Sequence, residues 1–545
     1  MLQKAPLAAA VFAAGCLLAW LGAGPPAPLP TPSPLPSAAP GVSAPAASPS
    51  PAPPTPQPTQ PPIVVMPASA SVAVGYDSVL RVGAVMGTIT ATAANPALLA
   101  VVVDQDSETV TLTGLAPGTT SVTITDRRRI SALVPVRVAY NAGSVADAAA
   151  VQVTGDPADG KFVKREAVAA AIAEARVRAG AQIVTSPDQV TFERSLAQDD
   201  ITTLDVPVLI QGDNYLSVDG ITHVRVINLA EPKITPDSLL VSDFPERLEN
   251  NGILFTADLR RDQPSRFLYF HYNPPGSPAR RIVLRAENQS AEPATIQFIS
   301  GEGGPETNEL EVGHTSTKRF LLYLIQNEGR VITVPGNSSQ NLVEQDLPAA
   351  DIVSNLLQLR VLNGSAVHLT LLAENASDSP EIPVANMELL EGGHPHARGV
   401  YGIPEFHYSR SWSVLDPYLE LPIGNIPLLN QRVAGQALTG DYGVLQSFVI
   451  NVQNPTDRPA SIALYENPRG GSATGTYLID DVLVQSHQVP AFSRYKIRQY
   501  VVPAKGFVRV TIQTIPEAGS TYPLRLIFAP DDGSVPPGAP GSPIY

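Results

Sequence analysis

The chain has 545 residues, enough for several domains at about 100–150 residues each. Hydrophobic residues make up 44% of it and charged residues 16%, so it can bury substantial cores. A formal net charge of −14 argues against a nucleic-acid partner and against adhesion of the folded body to an anionic membrane. The 55 prolines and 40 glycines, many of them scattered as turn residues, favour a mainly β chain of short strands.

Residues 1–23 have the features of an export signal. Lys4 supplies a positive charge, and the run from Ala5 to Ala23 is uncharged and apolar. Three alternatives stay open: a cleaved signal peptide, an uncleaved anchor through residues 5–23, and a lipoprotein modified at Cys16. Each predicts that the rest of the chain is exported to the periplasm or the cell surface. Membrane contact is then expected only through this segment, if it is uncleaved or lipidated. No cysteine follows Cys16, so the exported body has no disulfide.

Two segments have the composition of disordered chain. Residues 24–63 are rich in proline, alanine and serine and carry no charge, which predicts an extended linker. Residues 531–545 predict a shorter disordered tail of the same kind.

Residues 64–141 alternate apolar and polar side chains in short runs, which predicts a small β-domain. This segment contains three motifs in the following order: Gly75-x-x-Ser78-x-Leu80, Ala94-Asn95-Pro96, and Val110-x-Leu112-x-Gly114-x-x-Pro117-Gly118-Thr119-Thr120. Over residues 64–140 this pattern resembles the N-terminal domain of bacterial pilus-assembly and secretin-type proteins, and it is also similar to bacterial Ig-like domains. The resemblance implies a structural or assembly role; the remainder of the chain matches no named family.

Residues 142–250 predict a small α+β domain. Strands are expected near Val151 and Ile183 on either side of a helix from Phe162 to Arg178, ended by Gly180. This is the one helix that the sequence predicts in the exported body.

The second half of the chain contains an internal repeat, which predicts two β-sandwiches at residues 251–376 and 440–530, separated by a connecting loop region at 377–439. The segment from Arg281 to Ile296 aligns without gaps to that from Ser447 to Ile462. The alignment pairs Asn288 with Asn454 and Pro293 with Pro459, then Val334-Pro335 with Val489-Pro490, and the strand at 357–361 with that at 508–512. The predicted fold class is therefore a mainly β, multi-domain chain of Ig-like β-sandwich domains with one small α+β domain.

Standard catalytic motifs are absent from the sequence, so no catalytic residue and no cofactor is predicted. The run Glu391-Gly392-Gly393-His394-Pro395-His396 is interpreted first as an ordinary polar loop. The alternative is a metal site at His394 and His396, completed by Glu405 or His407.

An aromatic set around Trp412 includes Tyr408 and Tyr418. These side chains could stack on a sugar ring, whereas the competing interpretation places them in a sandwich core.

Three functions follow from these observations. The first is a non-catalytic, exported protein of the bacterial envelope or surface that acts in binding or assembly, with envelope or pilus-assembly proteins as partners. The second is a carbohydrate-binding surface protein that holds surface glycans near Trp412. The third is a metal-dependent hydrolase near His394. The first predicts that the protein is not an enzyme.

Overall fold

The computed structural model describes residues 61–376, 387–391, 396–424, 429–430 and 437–533. The predicted export segment, most of the linker, nearly all of the tail and His394 lie outside these residues.

The first module of the described chain, which we call the N-terminal sandwich, lies in the range for which the sequence predicts a small β-domain. Its eight strands are β1 (Val64–Met66), β2 (Ala70–Ala73), β3 (Asp77–Gly83), β4 (Thr90–Ala93), β5 (Leu99–Asp104), β6 (Thr109–Gly114), β7 (Gly118–Thr125) and β8 (Ser131–Ala139). They form two four-stranded sheets, ordered β1-β3-β6-β5 and β2-β8-β7-β4. The alternation in the sequence buries one face of each strand, as with Val110 and Leu112 of β6. Gly114 allows the sheets to approach, since a Cβ there would lie 2.5 Å from the Ala73 carbonyl oxygen.

The next elements include five strands of a ten-stranded sheet, which we call the central sheet, and two short strands of two residues each that pair only with each other. They are β9 (Gly143–Ser144), β10 (Ala148–Thr154), α1 (Gly160–Glu174), β11 (Arg176–Val177), β12 (Gln182–Val184), a 3₁₀ turn (Pro187–Gln189), β13 (Ile201–Gln211), β14 (Val218–Leu229) and β15 (Ser238–Ser242). Helix α1 begins where the Asp159 side chain accepts a hydrogen bond from the Lys161 N–H. It ends at Glu174 because Ala175 is extended, so the predicted end at Gly180 is wrong.

The chain continues through the first of the predicted repeat units. Its elements are β16 (Gly252–Leu259), β17 (Ser265–Tyr272), β18 (Arg280–Asn288), β19 (Ala294–Glu306), α2 (Glu309–Gln326), β20 (Gly329–Val334), β21 (Ser338–Leu347), β22 (Ile352–Asn363), β23 (Val367–Asn375) and β24 (Arg398–Tyr401). The sheet β16-β23-β18-β21 packs over part of the central sheet, and we call this pair the middle sandwich.

The predicted boundary at residue 250 does not separate two domains. The central sheet has the order β12-β13-β14-β10-β20-β19-β22-β17-β15-β24, so strands from both sides of residue 250 share one hydrogen-bonded ladder. The junction is β10, which pairs in parallel with β14 and antiparallel with β20, where Val153 lies opposite Arg330. The predicted α+β domain and first sandwich are therefore fused. Strand pairing between residues so far apart leaves no mark on the local sequence, so the hydrophobic pattern could not reveal it.

Helix α2 was not predicted. Its sequence contains Gly313 and two threonines, which weaken the helical pattern, although Asn308 caps its start and Asn327, in a left-handed conformation, ends it. The helix is nevertheless well packed, because Val312, Phe320 and other side chains of one face are buried.

The last module is the C-terminal sandwich. Its strands are β25 (Glu405–Ser413), β26 (Leu419–Ile423), β27 (Leu429–Asn430), β28 (Ala437–Leu438), β29 (Leu445–Asn454), β30 (Ala460–Pro468), β31 (Ala473–Ile479), β32 (Val482–Val489), β33 (Tyr495–Val502), β34 (Gly506–Thr514) and β35 (Leu524–Pro530). Its two sheets are β25-β29-β34-β31-β32 and β26-β35-β30-β33, and β27 pairs with β28 as a separate two-stranded sheet. Residues 377–439, predicted as a connecting loop region, thus supply β24 to the central sheet and β25 and β26 to this sandwich.

The predicted correspondence of the two asparagine turns is confirmed. The amide of Asn288 donates to the carbonyl oxygens of Glu292 and Val334, and that of Asn454 donates to those of Arg458 and Val502. In both turns the side-chain oxygen of the asparagine accepts from the N–H group two residues later. Strands β18 and β29 are therefore equivalent, as are β19 and β30.

The predicted match of the Val-Pro turns is wrong. Because Val334 and Val502 accept the equivalent hydrogen bonds, the partner of Val334-Pro335 is Val502-Pro503, and Val489-Pro490 belongs to an added hairpin. Strand β34 accordingly corresponds to β21. The predicted match of residues 508–512 with residues 357–361 is therefore also wrong, because residues 357–361 lie in β22. Two Val-Pro pairs in one repeat unit made the sequence alignment ambiguous.

Candidate functional site

A cavity of about 570 Å³ lies where the central sheet, α2 and the C-terminal sandwich meet. Val241, Leu268 and Phe270 from the central sheet supply apolar lining. Its polar lining comes from several distant parts of the chain: Asp243, Glu246, Glu309, His396, Thr439, Tyr442, Ser520 and Thr521. Three carboxyl groups at one partly apolar cavity make it a place where a cationic group would be favoured.

His396 lies between two of these carboxylates. Its Nδ1 is 3.2 Å from Asp243 Oδ2 and its Nε2 is 3.1 Å from Glu246 Oε2. Carboxylates accept hydrogen bonds, so both ring nitrogens donate and the imidazole is held as a cation. One ligand atom from each of the three residues lies within 4.8 Å of the others.

Strand pairing brings these residues together across 153 positions of sequence. Strand β15 pairs antiparallel with β24, with Ser242 opposite Arg398. The ladder extends one bond further, since the Asp243 N–H donates to the Ala397 carbonyl oxygen at 2.9 Å. Asp243 therefore lies directly after β15, beside His396, which lies two residues before β24.

Burial and charge shift the protonation of the pair. Burial raises the pKa of Asp243 to about 6, against the opposing hydrogen bond and charge of His396. The hydrogen bond with Asp243 raises the pKa of His396 above its ordinary value, helped by the charges of Asp243 and Glu246 and opposed by burial. Asp243 Oδ1 is inaccessible to solvent and has no hydrogen-bond partner among the described residues.

The structure changes the ligand set that the sequence predicted around His396. His394 lies outside the described residues, so its position is not part of this site. Glu405 instead pairs with the buried Arg266 at 2.8 Å, while the side chain of His407 is 73% exposed. Asp243 and Glu246 were missed because an aspartate and a glutamate three residues apart are common on surfaces, and only the β15–β24 pairing joins them to His396.

The predicted sugar-binding aromatics do not form a platform. Trp412 is 4% exposed and packs in the core of the C-terminal sandwich, where its ring centroid is 6.2 Å from that of Phe528. Tyr408 packs edge-on against Phe448, and only Tyr418 is exposed. Trp412 is inward on β25 because the alternation of that strand buries it, so it offers no ring face to a ligand.

A second polar cluster, which we call the interface cluster, lies buried between α2 and the C-terminal sandwich. His314 Nδ1 is 3.2 Å from Glu517 Oε2, and its Nε2 is 3.0 Å from Gln485 Oε1. Thr476 Oγ1 donates to Glu517 Oε1 at 2.6 Å. Burial opposes protonation of His314, but the charge and hydrogen bond of Glu517 and the contact with Gln485 hold its pKa above the ordinary value. This histidine lies on α2, a helix that the sequence analysis does not predict, so the cluster could not be expected from the sequence.

Glu466 lies in the same buried region with no exposed surface. The hydroxyls of Ser486 and Tyr477 lie beside it, but neither carboxyl oxygen has a hydrogen-bond partner within the described chain. Burial raises its pKa to about 8, so the folded protein holds this carboxyl protonated at neutral pH.

These observations define the class of protein as a mostly β chain of sandwich domains, which confirms the predicted fold class. No family model matches the chain, and no curated protein matches it. No helix within the described residues is long and apolar enough to cross a membrane.

Several solved structures are similar to parts of this chain. Domains 4 and 5 of the S-layer protein SbsC are 28% identical over 15% of this chain and 46% of theirs, with a TM-score of 0.14. The human desmocollin-1 ectodomain is 9% identical over 36% of this chain and 45% of its own, with a TM-score of 0.13. The Bacteroides ovatus protein SGBP-B, solved with a mixed-linkage heptasaccharide, is 9% identical over 56% of this chain and 71% of its own, with a TM-score of 0.13. This chain thus spans less than half the length of the first two.

Proposed function

We propose that this chain is an exported, non-catalytic protein of the bacterial envelope or surface that acts as a rigid scaffold for other envelope proteins. Support for export comes from the sequence: the apolar run at residues 5–23 and the proline-rich segment after it. The resemblance of residues 64–140 to pilus-assembly and bacterial Ig-like domains supports an assembly role, with pilus components among the partners to test.

The observation that carries the scaffold proposal is the way the modules are joined. The central sheet runs through two predicted domains without a break. The middle and C-terminal sandwiches meet through apolar contacts that include Phe320 and Ile515, and through the buried ion pair of Arg266 with Glu405. The N-terminal sandwich is attached by Arg137, whose side chain donates to the Asp213 carbonyl oxygen at 2.7 Å. The shared sheet and the apolar interface favour a fixed spacing of the middle and C-terminal sandwiches, which a scaffold needs.

Rigidity can be measured directly by electron paramagnetic resonance distance measurements. Cys16 is the only native cysteine, so in a Cys16→Ser background the exposed Ile221 and Phe507 can be replaced by cysteine and spin-labelled. We expect one narrow distance distribution between the two labels. A broad distribution in the otherwise native protein would refute the scaffold proposal. As a control, Gly313→Ala, which forces α2 away from the C-terminal sandwich, should broaden it.

Location and partners need a separate experiment in cells. Fractionation with N-terminal sequencing should find the protein outside the cytoplasm, and in-cell cross-linking should capture envelope proteins. Full-length protein recovered from the soluble cytoplasm would contradict the export part of the proposal. A glycan array run beside it tests the carbohydrate-binding alternative, which the burial of Trp412 leaves without a stacking surface.

A further inference from the structure

We propose that Asp243, Glu246 and His396 bind a divalent transition-metal ion of the Zn²⁺ or Mn²⁺ class in the cavity between the central sheet, α2 and the C-terminal sandwich. The proposal goes beyond the scaffold function, since a scaffold needs no ion. Its basis is the convergence of the three side chains, whose ligand atoms lie within 4.8 Å of one another. The ligand atoms of a single zinc ion lie closer still, so the three side chains must move together when the ion binds.

The donor set determines the class of ion. One imidazole nitrogen with two carboxylates suits a borderline divalent ion such as Zn²⁺ or Mn²⁺, whereas Ca²⁺ prefers a larger set made of oxygens alone. An imidazole binds a metal through one nitrogen, so one of the two present contacts of His396 must open. Glu246 is suited to that movement because its side chain is 33% exposed and long.

A second observation is the state of Asp243. Its Oδ1 is inaccessible to solvent and lacks a hydrogen-bond donor among the described residues, while Oδ2 contacts His396. A buried carboxylate oxygen without a partner costs free energy, which a coordinated cation would recover. Asp243 Oδ2 is already paired with His396, so Oδ1 is the carboxyl oxygen that still lacks a partner and that a coordinated ion would satisfy.

The backbone holds the ligands in place from both sides. Asp243 follows β15 and His396 precedes β24, and the bond from the Asp243 N–H to the Ala397 carbonyl oxygen links the two chain segments. A site built on paired strands is more rigid than one built on a loop. An ion here would brace the edge strand β24 against β15 at the cavity, which is a structural role.

Without a metal, the protonated imidazole of His396 supplies the positive charge between the two carboxylates. The experiment must therefore separate an ion site from a plain ion pair. The full-length protein, treated with a chelator and dialysed, is titrated near neutral pH with Zn²⁺, Mn²⁺ and Ca²⁺ by calorimetry, and its thermal midpoint is measured with each ion. We expect one equivalent of Zn²⁺ or Mn²⁺ to bind and to raise the thermal midpoint, with Ca²⁺ at least tenfold weaker.

Variants locate the site. Asp243→Asn and His396→Gln should each weaken binding at least tenfold, and Glu246→Gln, on a partly exposed residue, tests the third ligand in a protein that stays folded. His368→Gln is the matched control, because His368 forms a similar pair with Asp258 at 2.8 Å on the surface. It should bind the ion as the native protein does. Absence of saturable binding to the native protein, or binding that survives Glu246→Gln and His396→Gln together, would overturn the proposal and leave an ion pair.

Discussion

Glu466→Gln should stabilise the C-terminal sandwich at neutral pH. Glu466 is fully buried, and the pKa of its carboxyl is raised from 4.5 to about 8. Folding therefore requires the carboxyl to stay protonated at a pH where the unfolded chain releases the proton. A glutamine has a similar shape and carries no proton to lose, so it removes this cost.

The sign and the size of the expected change in the free energy of unfolding follow from the linkage between protonation and folding. Because the folded pKa is raised, the stability associated with Glu466 is fully present below pH 4.5 and is lost as the pH rises through about 8. At about 1.4 kcal/mol per pH unit, the loss between pH 4.5 and pH 7 amounts to about 3 kcal/mol. Glu466→Gln should therefore gain up to about 3 kcal/mol relative to the native protein at pH 7, and almost nothing at pH 4.

Urea denaturation at a series of pH values between 4 and 9 measures this difference. Trp412 fluorescence reports the correct module, because this residue lies in the core of the C-terminal sandwich and the only other tryptophan is Trp20 in the N-terminal apolar run. Glu344→Gln, at an exposed position of β21, is the control and should change stability by less than about 1 kcal/mol at every pH. The reasoning fails if Glu466→Gln destabilises the protein at pH 7, or if its effect is the same at pH 4 and pH 7.

Three further outcomes test the packing. Gly313→Ala should lower the free energy of unfolding by about 3 kcal/mol or more in the same urea assay, since its Cβ would lie 1.4 Å from the Ala518 carbonyl oxygen. A higher free energy of unfolding in this variant would refute the close contact of α2 with the C-terminal sandwich. Asn288→Ala and Asn454→Ala should each cost about 2–4 kcal/mol in thermal melts, within about 1 kcal/mol of each other, because both side chains make the same buried hydrogen bonds; clearly unequal costs would count against equivalent turns. Trp412→Phe should lower the melting temperature without changing any signal on a glycan array, and a lost sugar signal would restore the binding interpretation.

The features that the sequence predicts are those that depend on interactions within a short stretch of chain. The alternation in residues 64–141 predicted the N-terminal sandwich, because a strand with one buried face shows its period directly. The asparagine turns were visible for a similar reason: Asn288 bonds within a few residues of itself at Glu292, so the motif is contained in a short stretch of chain.

Features that depend on distant residues were not predictable from one sequence. The pairing of β10 with β20 joins residues near 152 to residues near 331. The sequence of either strand alone is compatible with a position at the edge of a sheet or at its centre, so it does not indicate this pairing. The candidate metal site has the same origin. His396 was singled out by its neighbours in sequence, yet its partners Asp243 and Glu246 come from the end of β15.

The two repeat units differ most where they meet, and these differences create both the buried interface cluster and one wall of the cavity beside His396. Strands β19 and β20 of the first unit are equivalent to β30 and β33 of the second. The first unit inserts α2 between its two strands, and the second inserts the hairpin of β31 and β32. These insertions face each other: His314 of α2 contacts Thr476 of β31 and Gln485 of β32.

Glu309, at the start of α2, lines the cavity with Asp243 and His396, and residues 518–521 of the C-terminal sandwich close the other side. The shared sandwich framework is therefore what the sequence repeat preserves, whereas the added segments create the interface cluster and a wall of the cavity. A variant that loosens α2, such as Gly313→Ala, should then weaken ion binding at Asp243 and His396 although it alters no ligand. Unchanged affinity in that variant would show that the β15–β24 pair alone holds the ligands.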